Sequence, residues 1–388
     1  MKKIWPFSFS FLQFASIASV GPFMVLYYQG LGFTGAQIGL LTGITPLVTF
    51  VSVPLWTRFA DATGRHRLIM GIALLVGAAV VFTFPLLDTF APILLISVSF
   101  NIFYAPVSSF ADSAAMYMLA DEKEMYGRIR LGGTIGFGLT ILISGAIVQH
   151  YGVRSAFWMC AVLMFLGFIV SQKLVYDQSK AGDQVGGSIR TLLANPRWSL
   201  FLVLAFASGL ALAATNNYFF PYMKELGANE STMGLALTIG TISEVPVLFF
   251  GNRLLKRLKP FGLLILTMTI TGIRLLLFAA SSTPGLVLLV QLLNGLTFSA
   301  MWMAGVSYAD ENAHPGMRTT AQGLFNAVAM GFGAAAGGFT GGLLLESIGG
   351  RGLYLVFGII VLATVAIVTL IRKRLLAEKT SPAKGVEQ

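Results

Sequence analysis

The sequence predicts an all-α membrane protein with twelve transmembrane helices in two six-helix pseudo-repeats. Of its 388 residues, 56% are hydrophobic and 11% are charged, whereas a soluble domain carries about 25% charged residues. Apolar segments of about 20 residues recur along the chain, and each can cross a ~30 Å hydrocarbon core as a helix. The short alternating segments of membrane β-barrels are absent from the sequence. The chain therefore has lipid as its main solvent.

Turn and charge signals separate twelve apolar segments. The first follows a basic start, as in a signal peptide, but it leads into further spans and is expected to stay as a helix. We place the helices at 8–28, 37–59, 68–87, 92–117, 128–149, 154–173, 198–221, 231–254, 261–281, 285–308, 318–343 and 351–372. The predicted halves are 1–175 and 198–375, with a cytoplasmic linker at 176–197 and a cytoplasmic tail at 376–388.

Lysine and arginine residues set the expected orientation, because they favour cytoplasmic loops. With a cytoplasmic N-terminus, only Arg154, Lys224 and Arg351 of the 26 basic residues fall outside, and Arg274 lies within a span. Both termini are therefore predicted to be cytoplasmic and the chain to be a multi-pass protein of the plasma (inner) membrane. This placement accounts for the net charge of +10 without a nucleic-acid partner.

The two halves match at an offset of 195 residues, which aligns Tyr27 with Tyr222, Arg58 with Arg253 and Phe103 with Phe298. Chance matching of common apolar residues is the alternative explanation. Parallel repeats of six spans are typical of one large transporter class, whose substrate site lies between the halves near the midplane.

The segment TRFADATGRHR at 57–67 resembles the loop signature of the major facilitator superfamily. Ala60, Asp61, Gly64 and Arg65 match that signature. The segment departs from it at Thr57, Phe59 and Ala62, and His66 stands at the last arginine with Arg67 one place beyond. Glycine permits a tight turn, and an aspartate at a helix end can pair with arginines or with another helix N-terminus. A solvated cytoplasmic turn is the alternative.

Segments at 126–138, 243–250 and 314–338 resemble the branch that contains 3-phenylpropionate permeases and related solute:proton symporters, with lactose permease and nucleoside symporters as more distant relatives. The resemblance covers essentially the whole chain. It implies a secondary transporter in which the 57–67 loop governs conformational switching. The expected switch residues are Asp61, Gly64, Arg65, Arg67, Arg128 and Arg130.

Three ionisable residues fall inside the predicted spans, namely Asp112, Glu244 and Arg274. Each costs at least ~2.5 kcal/mol at the bilayer centre, so we expect them to face the bundle interior, water or one another. Glu244 and Asp112 are the predicted proton-coupling residues. Asp112 can also pair with Arg128 or Arg130 at the start of the next helix, which would be a purely structural role.

Glu244 precedes Pro246, a residue that kinks helices, so the pair predicts a hinge or a cavity wall. The alternative is a fixed glutamate that only positions its helix. Arg274 is expected either to pair with Glu244 or to clamp an anionic substrate; a snorkelling arginine is the alternative. Counting residues from the predicted helix ends gives the two groups depths that differ by about 10 Å.

The resemblance implies that helices 1, 4, 7 and 10 line the substrate cavity. It therefore favours six polar residues for substrate binding beside Arg274, although such residues often only join helices by hydrogen bonds. These are Tyr27, Asn101, Tyr104, Asn217, Gln291 and Asn294.

The predicted function is proton-coupled uptake of a small organic solute, such as a carboxylate, by alternating access. Proton-driven efflux of drugs, sugars or metabolites is the alternative, and a membrane sensor or lipid flippase is a third. No Walker sequence and no catalytic constellation is present, so we expect neither an enzyme nor a cofactor or metal. The expected partners are the solute, protons and lipid, and the protein is expected to be a monomer.

Overall fold

The computed structural model describes residues 4–120, 122, 125–176, 192, 195–313 and 317–380. Most of the predicted linker and tail falls outside these residues. Within them, the regular structure is helical throughout. Ten continuous helical stretches are long and apolar enough to cross a membrane.

Two of the ten stretches contain two crossings each. The stretch Glu230–Ala280 has 51 residues and breaks at Lys259, where φ is 57° and ψ is 157°. The stretch Thr320–Leu375 has 56 residues and breaks at Gly349, where φ is 69° and ψ is 178°. At ~1.5 Å per residue, either stretch would be more than twice as long as the ~30 Å core is thick. The ten stretches thus make the twelve crossings that the sequence predicts.

We number the crossings α1 to α12 in chain order. They span Ile4–Gly30, Gly35–Thr63, His66–Leu86, Phe90–Leu119, Tyr126–Tyr151, Arg154–Ser171, 196–225, 230–258, 260–280, Pro284–Glu311, 318–348 and 350–380. Because the number of crossings is even, residues 4 and 380 lie on the same side of the bundle. We call this side the terminal face and the opposite side the far face.

Side chains at the helix starts explain several boundaries. Thr34 and Gln37 form a reciprocal capping box at the start of α2, and the Asn229 side chain accepts a 2.8 Å bond from the Thr232 amide at the start of α8. Such caps satisfy amides that have no partner within the helix. Gly64 ends α2 in the left-handed region, with φ 66°, where glycine carries no steric cost.

Two segments predicted as loops are mostly helical. The 57–67 segment belongs to α2 as far as Thr63, and α3 begins at His66, so the turn itself is Gly64–Arg65. The charged segment after Asn252 likewise continues α8 to residue 258. Charge and proline signals mark the end of the membrane core, but they do not end a helix that projects beyond it.

Helices α2 and α11 meet closely toward the far face. A Cβ atom on Gly342 would lie 2.3 Å from the Gly35 carbonyl oxygen, and one on Gly39 would lie 2.6 Å from the Phe339 carbonyl oxygen. Thr42 donates a 3.1 Å hydrogen bond across this contact to the Gly338 carbonyl. Small residues therefore allow the backbones to touch, as is common between membrane helices.

Helices α5 and α8 form a second close contact toward the far face. A Cβ atom on Gly145 would lie 2.6 Å from the Glu230 carbonyl oxygen, and one on Gly234 would lie 2.7 Å from that of Ile141. Thr238 donates a 3.1 Å bond to the Gly138 carbonyl. The two contacts close the space between the first six and the last six helices at the far face.

Candidate functional site

A cavity of about 960 Å³ lies between the first six and the last six helices, a size within the range of small-molecule sites. It extends toward the terminal face, where Arg130 and Leu248 line it. Among the described residues, the charged side chains in its wall are those of Arg130, Glu244 and Arg274. Polar lining is concentrated in the last six helices, including Asn216, Asn217, Thr271, Gln291, Asn294 and Ser299.

Five helices with irregular backbone contribute to this cavity, and one of them is α11, whose π-helical segment Ala327–Gly333 supplies Met330 to the wall. Helix α1 has a 3-10 turn at Gly21–Phe23, and α10 has one at Gln291–Leu293. Helix α4 is interrupted at Ala105–Pro106, and α7 is interrupted at Tyr218. Irregular backbone is tolerated inside a membrane protein where it is buried in protein or lines a cavity. Helices α1, α4, α7 and α10 are the four that the family resemblance implies, although α4 supplies only Ser108 to the wall among the described residues.

Neutral groups on α10 hold the Glu244 carboxylate. Oε1 accepts a 2.9 Å hydrogen bond from Asn294 Nδ2, and Oε2 accepts a 2.8 Å bond from Ser299 Oγ. The residue is half-buried and lines the cavity. Within the described residues, none of the ion pairs includes Glu244. Its ionised form therefore relies on dipoles and on the charges elsewhere in the cavity.

Ser243 connects the Glu244 segment to the interrupted part of α10. Its hydroxyl donates a 2.6 Å bond to the Gly240 carbonyl and accepts a 3.0 Å bond from the Gly295 amide. A Cβ atom on Gly295 would lie 2.1 Å from the Ser243 carbonyl oxygen. The hydroxyl thus satisfies an amide that the 3-10 turn leaves free, and it fixes the two helices side by side.

Ser243→Ala is expected to lower the stability of the protein by about 1–3 kcal/mol, because the Gly295 amide is left buried without an acceptor. The measurement is the unfolding midpoint in detergent. Ser347→Ala is the matched control, since the Ser347 hydroxyl is exposed and bonds only to carbonyls of its own helix. Equal midpoints for the two variants would contradict the expectation.

Arg274 is the most deeply buried charged residue of the site, with 5% of its surface exposed. Its guanidinium donates to Thr297 Oγ1 at 2.9 Å and to Gln291 Oε1, and it lies 5.1 Å from the centre of the Phe278 ring. The Nε atom is buried without a hydrogen-bond partner in the described structure. The guanidinium is therefore held in position by neutral acceptors, and its Nε–H group is not used within the described residues.

The structure places Glu244 and Arg274 in one cavity without a direct ion pair. Each instead bonds to neutral side chains of α10. The predicted 10 Å difference in depth is wrong, because α8 continues to the turn at Lys259. Each residue stands fifteen positions from Lys259, so the two lie at similar depth on adjacent helices. The segment predicted as a loop caused the error.

Asp112 lies at the terminal side of the first six helices. It accepts a 2.7 Å bond from the Tyr126 hydroxyl, and its carboxylate is 3.7 Å from Arg130. Both members of this ion pair are about half exposed. Of the two partners that the sequence allows, Arg130 pairs with Asp112, and Arg128 belongs to none of the ion pairs between described residues. Asp112 is better solvated than a mid-membrane charge.

Three predicted binding residues do not line the cavity in the described structure. The Tyr27 hydroxyl donates 3.0 Å bonds to the Phe84 carbonyl of α3 and to the carbonyl of Leu87, which follows that helix. Asn101 donates to the Ser97 carbonyl and to Thr45, and Tyr104 is stacked on Phe100. The Tyr104 hydroxyl also lies 3.5 Å from Ser16 Oγ of α1. All three residues thus contact other helices or helix ends within the first half of the chain. Asn217, Gln291, Asn294 and Arg274 do line the cavity.

The predicted switch segment makes local contacts at the terminal face. Asp61 pairs with His66 at 2.9 Å rather than with an arginine, and Arg67 donates to the Leu174 carbonyl at 2.9 Å. The Tyr176 ring stacks on His66, and burial raises the pKa of Tyr176. Gly64 and Arg65 form the exposed turn. The described contacts of the segment lie within the first six helices and the residues directly after α6, which fits a cavity that opens at this face.

Sequence reasoning missed Thr297 and Ser299, which bond to Arg274 and Glu244. A usable signal existed, because Gln291, Asn294 and Thr297 recur at intervals of three along α10 and so share one face. Ser299 lies outside that spacing, and a serine in an apolar helix gives no signal by itself.

Comparisons with known sequences and structures agree with this helical arrangement. The sequence profile described as the MFS_1 like family matches residues 5–356. The chain belongs to the MFS_1 like family. This confirms the resemblance to the major facilitator superfamily.

Relatives of this MFS_1 like protein are membrane transporters, as predicted, and not enzymes. The maltose permease of Geobacillus stearothermophilus is 28% identical over 375 residues, covering 96% of this chain and 95% of that one. The protein named "Probable 3-phenylpropionic acid transporter" of Escherichia coli is 24% identical over 360 residues, covering 91% and 93%. The crystal structure of the nucleoside transporter NupG superimposes with a TM-score of 0.82 at 21% identity, covering 96% and 99%, and shows the same fold.

Proposed function

We propose that this MFS_1 like protein couples proton movement to the transport of a small organic solute, with uptake as the favoured direction. The observation that supports this most is Glu244, a carboxylate in the wall of a substrate-sized cavity that is held by neutral donors. A carboxylate in such a place can exchange a proton with water in the cavity, and its hydrogen bonds do not depend on a fixed cation.

The charges of the cavity favour a carboxylate as the solute. When Glu244 is ionised, it balances the buried charge of Arg274. When it is protonated, Arg274 stands uncompensated in a region where an unpaired charge is costly. A monoanionic solute restores the balance, and Arg274 lines the cavity in which such a solute would bind. Proton and anion therefore favour each other's binding, as a symporter requires.

The closed far face and the cavity toward the terminal face support alternating access. With cytoplasmic termini, as the lysine and arginine distribution predicts, this arrangement is an inward-facing state. Transport then requires the α2–α11 and α5–α8 contacts to open and the terminal face to close. The 57–67 segment and Arg130 lie where that closure would occur.

The test is transport by purified protein in proteoliposomes with an imposed pH gradient and a panel of 3-phenylpropionate, maltose and uridine. Accumulation of a solute on the alkaline side is expected, with the carboxylate preferred. Solute movement toward the acidic side would establish the alternative, proton-driven efflux. Accumulation that ignores the gradient for every solute that binds would overturn proton coupling.

Arg274→Gln is expected to weaken carboxylate binding by about tenfold or more, since a charge-assisted bond contributes roughly twice a neutral one.

Wild-type affinity for the carboxylate should fall as pH rises through the titration of Glu244, because one proton is bound with each anion. Calorimetry in detergent at several pH values measures both effects. Arg253→Gln is the control, as Arg253 lies outside the cavity. Unchanged affinity in Arg274→Gln would exclude the anion contact.

A further inference from the structure

A second, smaller cavity lies at the terminal face of the last six helices. Its volume is about 140 Å³, several times the ~30 Å³ share of a water molecule. None of its lining residues lines the central cavity. Four helices contribute to it, namely α7, α9, α10 and α12, and the residues are Arg197, Leu200, Phe261, Tyr308, Asn312 and Arg372.

The small cavity carries two positive charges and no acidic residue in its described wall. Arg197 and Arg372 belong to none of the ion pairs in the described part of the chain. The Arg372 guanidinium lies 4.2 Å from the centre of the Phe261 ring, a cation–π contact that orients it without neutralising it. The site is therefore a cationic pocket in which an aromatic ring orients one of the two charges.

The small cavity has a buried base and an exposed, charged edge. Leu200, Phe261 and Tyr308 form its buried base, with 6% to 8% of their surface exposed, while both arginines are exposed at its edge. The Tyr308 hydroxyl donates to the Arg197 carbonyl at 3.4 Å, and Trp198 donates to the Asn312 carbonyl at 3.1 Å. These bonds fix the base against α7 and α10.

We propose that this pocket binds a phosphate group, and that the phosphate is the head group of an anionic phospholipid. Arginine is suited to phosphate because its planar donors match the oxygens in pairs. Basic pockets between transmembrane helices on the cytoplasmic side are suited to lipid head groups. The volume admits a phosphate with part of its glycerol but no acyl chain, so the chains would run along the outer surface of the bundle. A bound head group would tie together the ends of four helices.

The test compares lipid binding by the full chain in detergent. Native mass spectrometry and the unfolding midpoint are measured with phosphatidylglycerol, with phosphatidylcholine and with inorganic phosphate. We expect the wild type to retain phosphatidylglycerol selectively and to gain about 3 °C or more from it. Arg197→Gln/Arg372→Gln should lose both effects. The double variant Arg253→Gln/Lys256→Gln, which removes the same charge at the same face outside the pocket, should keep them.

The outcomes separate the sources of the phosphate. A rise of the midpoint with inorganic phosphate as large as that with phosphatidylglycerol would support the phosphate site and reject the lipid as its source. An undiminished phosphatidylglycerol effect in Arg197→Gln/Arg372→Gln, or an equal loss in the control, would overturn the proposal. If the double variant does not fold, Arg197→Gln alone serves, because it leaves the packing of Arg372 on Phe261 intact.

Discussion

Glu244→Gln is expected to abolish accumulation of the solute against its gradient while leaving exchange of solute across the membrane intact. Glutamine keeps the size of the side chain and an oxygen that can accept from Asn294 or Ser299, but it cannot exchange a proton. One pH unit corresponds to about 1.4 kcal/mol, or tenfold in concentration. A gradient of two units thus supports up to about 100-fold accumulation by wild-type protein, and the variant should reach no more than equality.

Accumulation and counterflow in the same proteoliposomes measure this difference. Glu230→Gln is the matched control, because Glu230 lies on the same helix but in its first turn, where it contributes about 0.3–1 kcal/mol through the helix dipole. Gradient-driven accumulation in Glu244→Gln would exclude this carboxylate as the proton carrier and would leave Asp112 as the next candidate.

Gly342→Ala should shift the protein away from the state that is closed at the far face. The added methyl group would lie 2.3 Å from the Gly35 carbonyl oxygen and 2.5 Å from the Gly39 amide nitrogen, and backbone atoms cannot rotate aside. Overpacking of this kind costs about 1–3 kcal/mol. Because the cost falls on one state only, the population ratio should change by about 5–150-fold.

Spin labels at Gln29 and Lys224, which are exposed at the far-face ends of α1 and α7, report the separation as a distance distribution. Cys160 is buried, so the native cysteine is protected from labelling. Gly323→Ala is the control on the same helix, since no atom lies within 4 Å of its added methyl group. Identical distance distributions for Gly342→Ala and Gly323→Ala would refute the role of the α2–α11 contact.

The number of crossings could be predicted because the length of an apolar helix is tied to the thickness of the bilayer. The face of each helix that lines the cavity could not be predicted. Spans that are apolar all round give no amphipathic direction, so Tyr27, Asn101 and Tyr104 could not be told from residues that face the cavity. Asn217, Gln291 and Asn294 were placed in the cavity by the family resemblance, and the structure agrees.

The charged residues were predicted better than their partners. A buried charge is costly wherever it lies, so Glu244 and Arg274 are visible in the sequence. Their hydrogen-bond partners Ser299 and Thr297 are small hydroxyl residues, which are common in membrane helices for packing alone. The depth of Arg274 relative to Glu244 was misjudged because the segment around Lys256 and Pro260 is typical of a loop. In the structure the chain turns at one residue, Lys259.

That turn also constrains how the site can work. Lys259 is not a glycine, yet it has a positive φ of 57°. This single residue connects α8 to α9, so the two helices follow each other without a loop. Helices α8 and α9 run in opposite directions and are joined at the terminal face by Lys259. Their ends at the terminal face are joined and cannot slide past each other, and Glu244 and Arg274 each stand fifteen residues from the turn. A change in the distance between Glu244 and Arg274 can therefore come from splaying of the two helices about Lys259, from bending at Pro246 or from side-chain rotation, but not from sliding of one helix along the other.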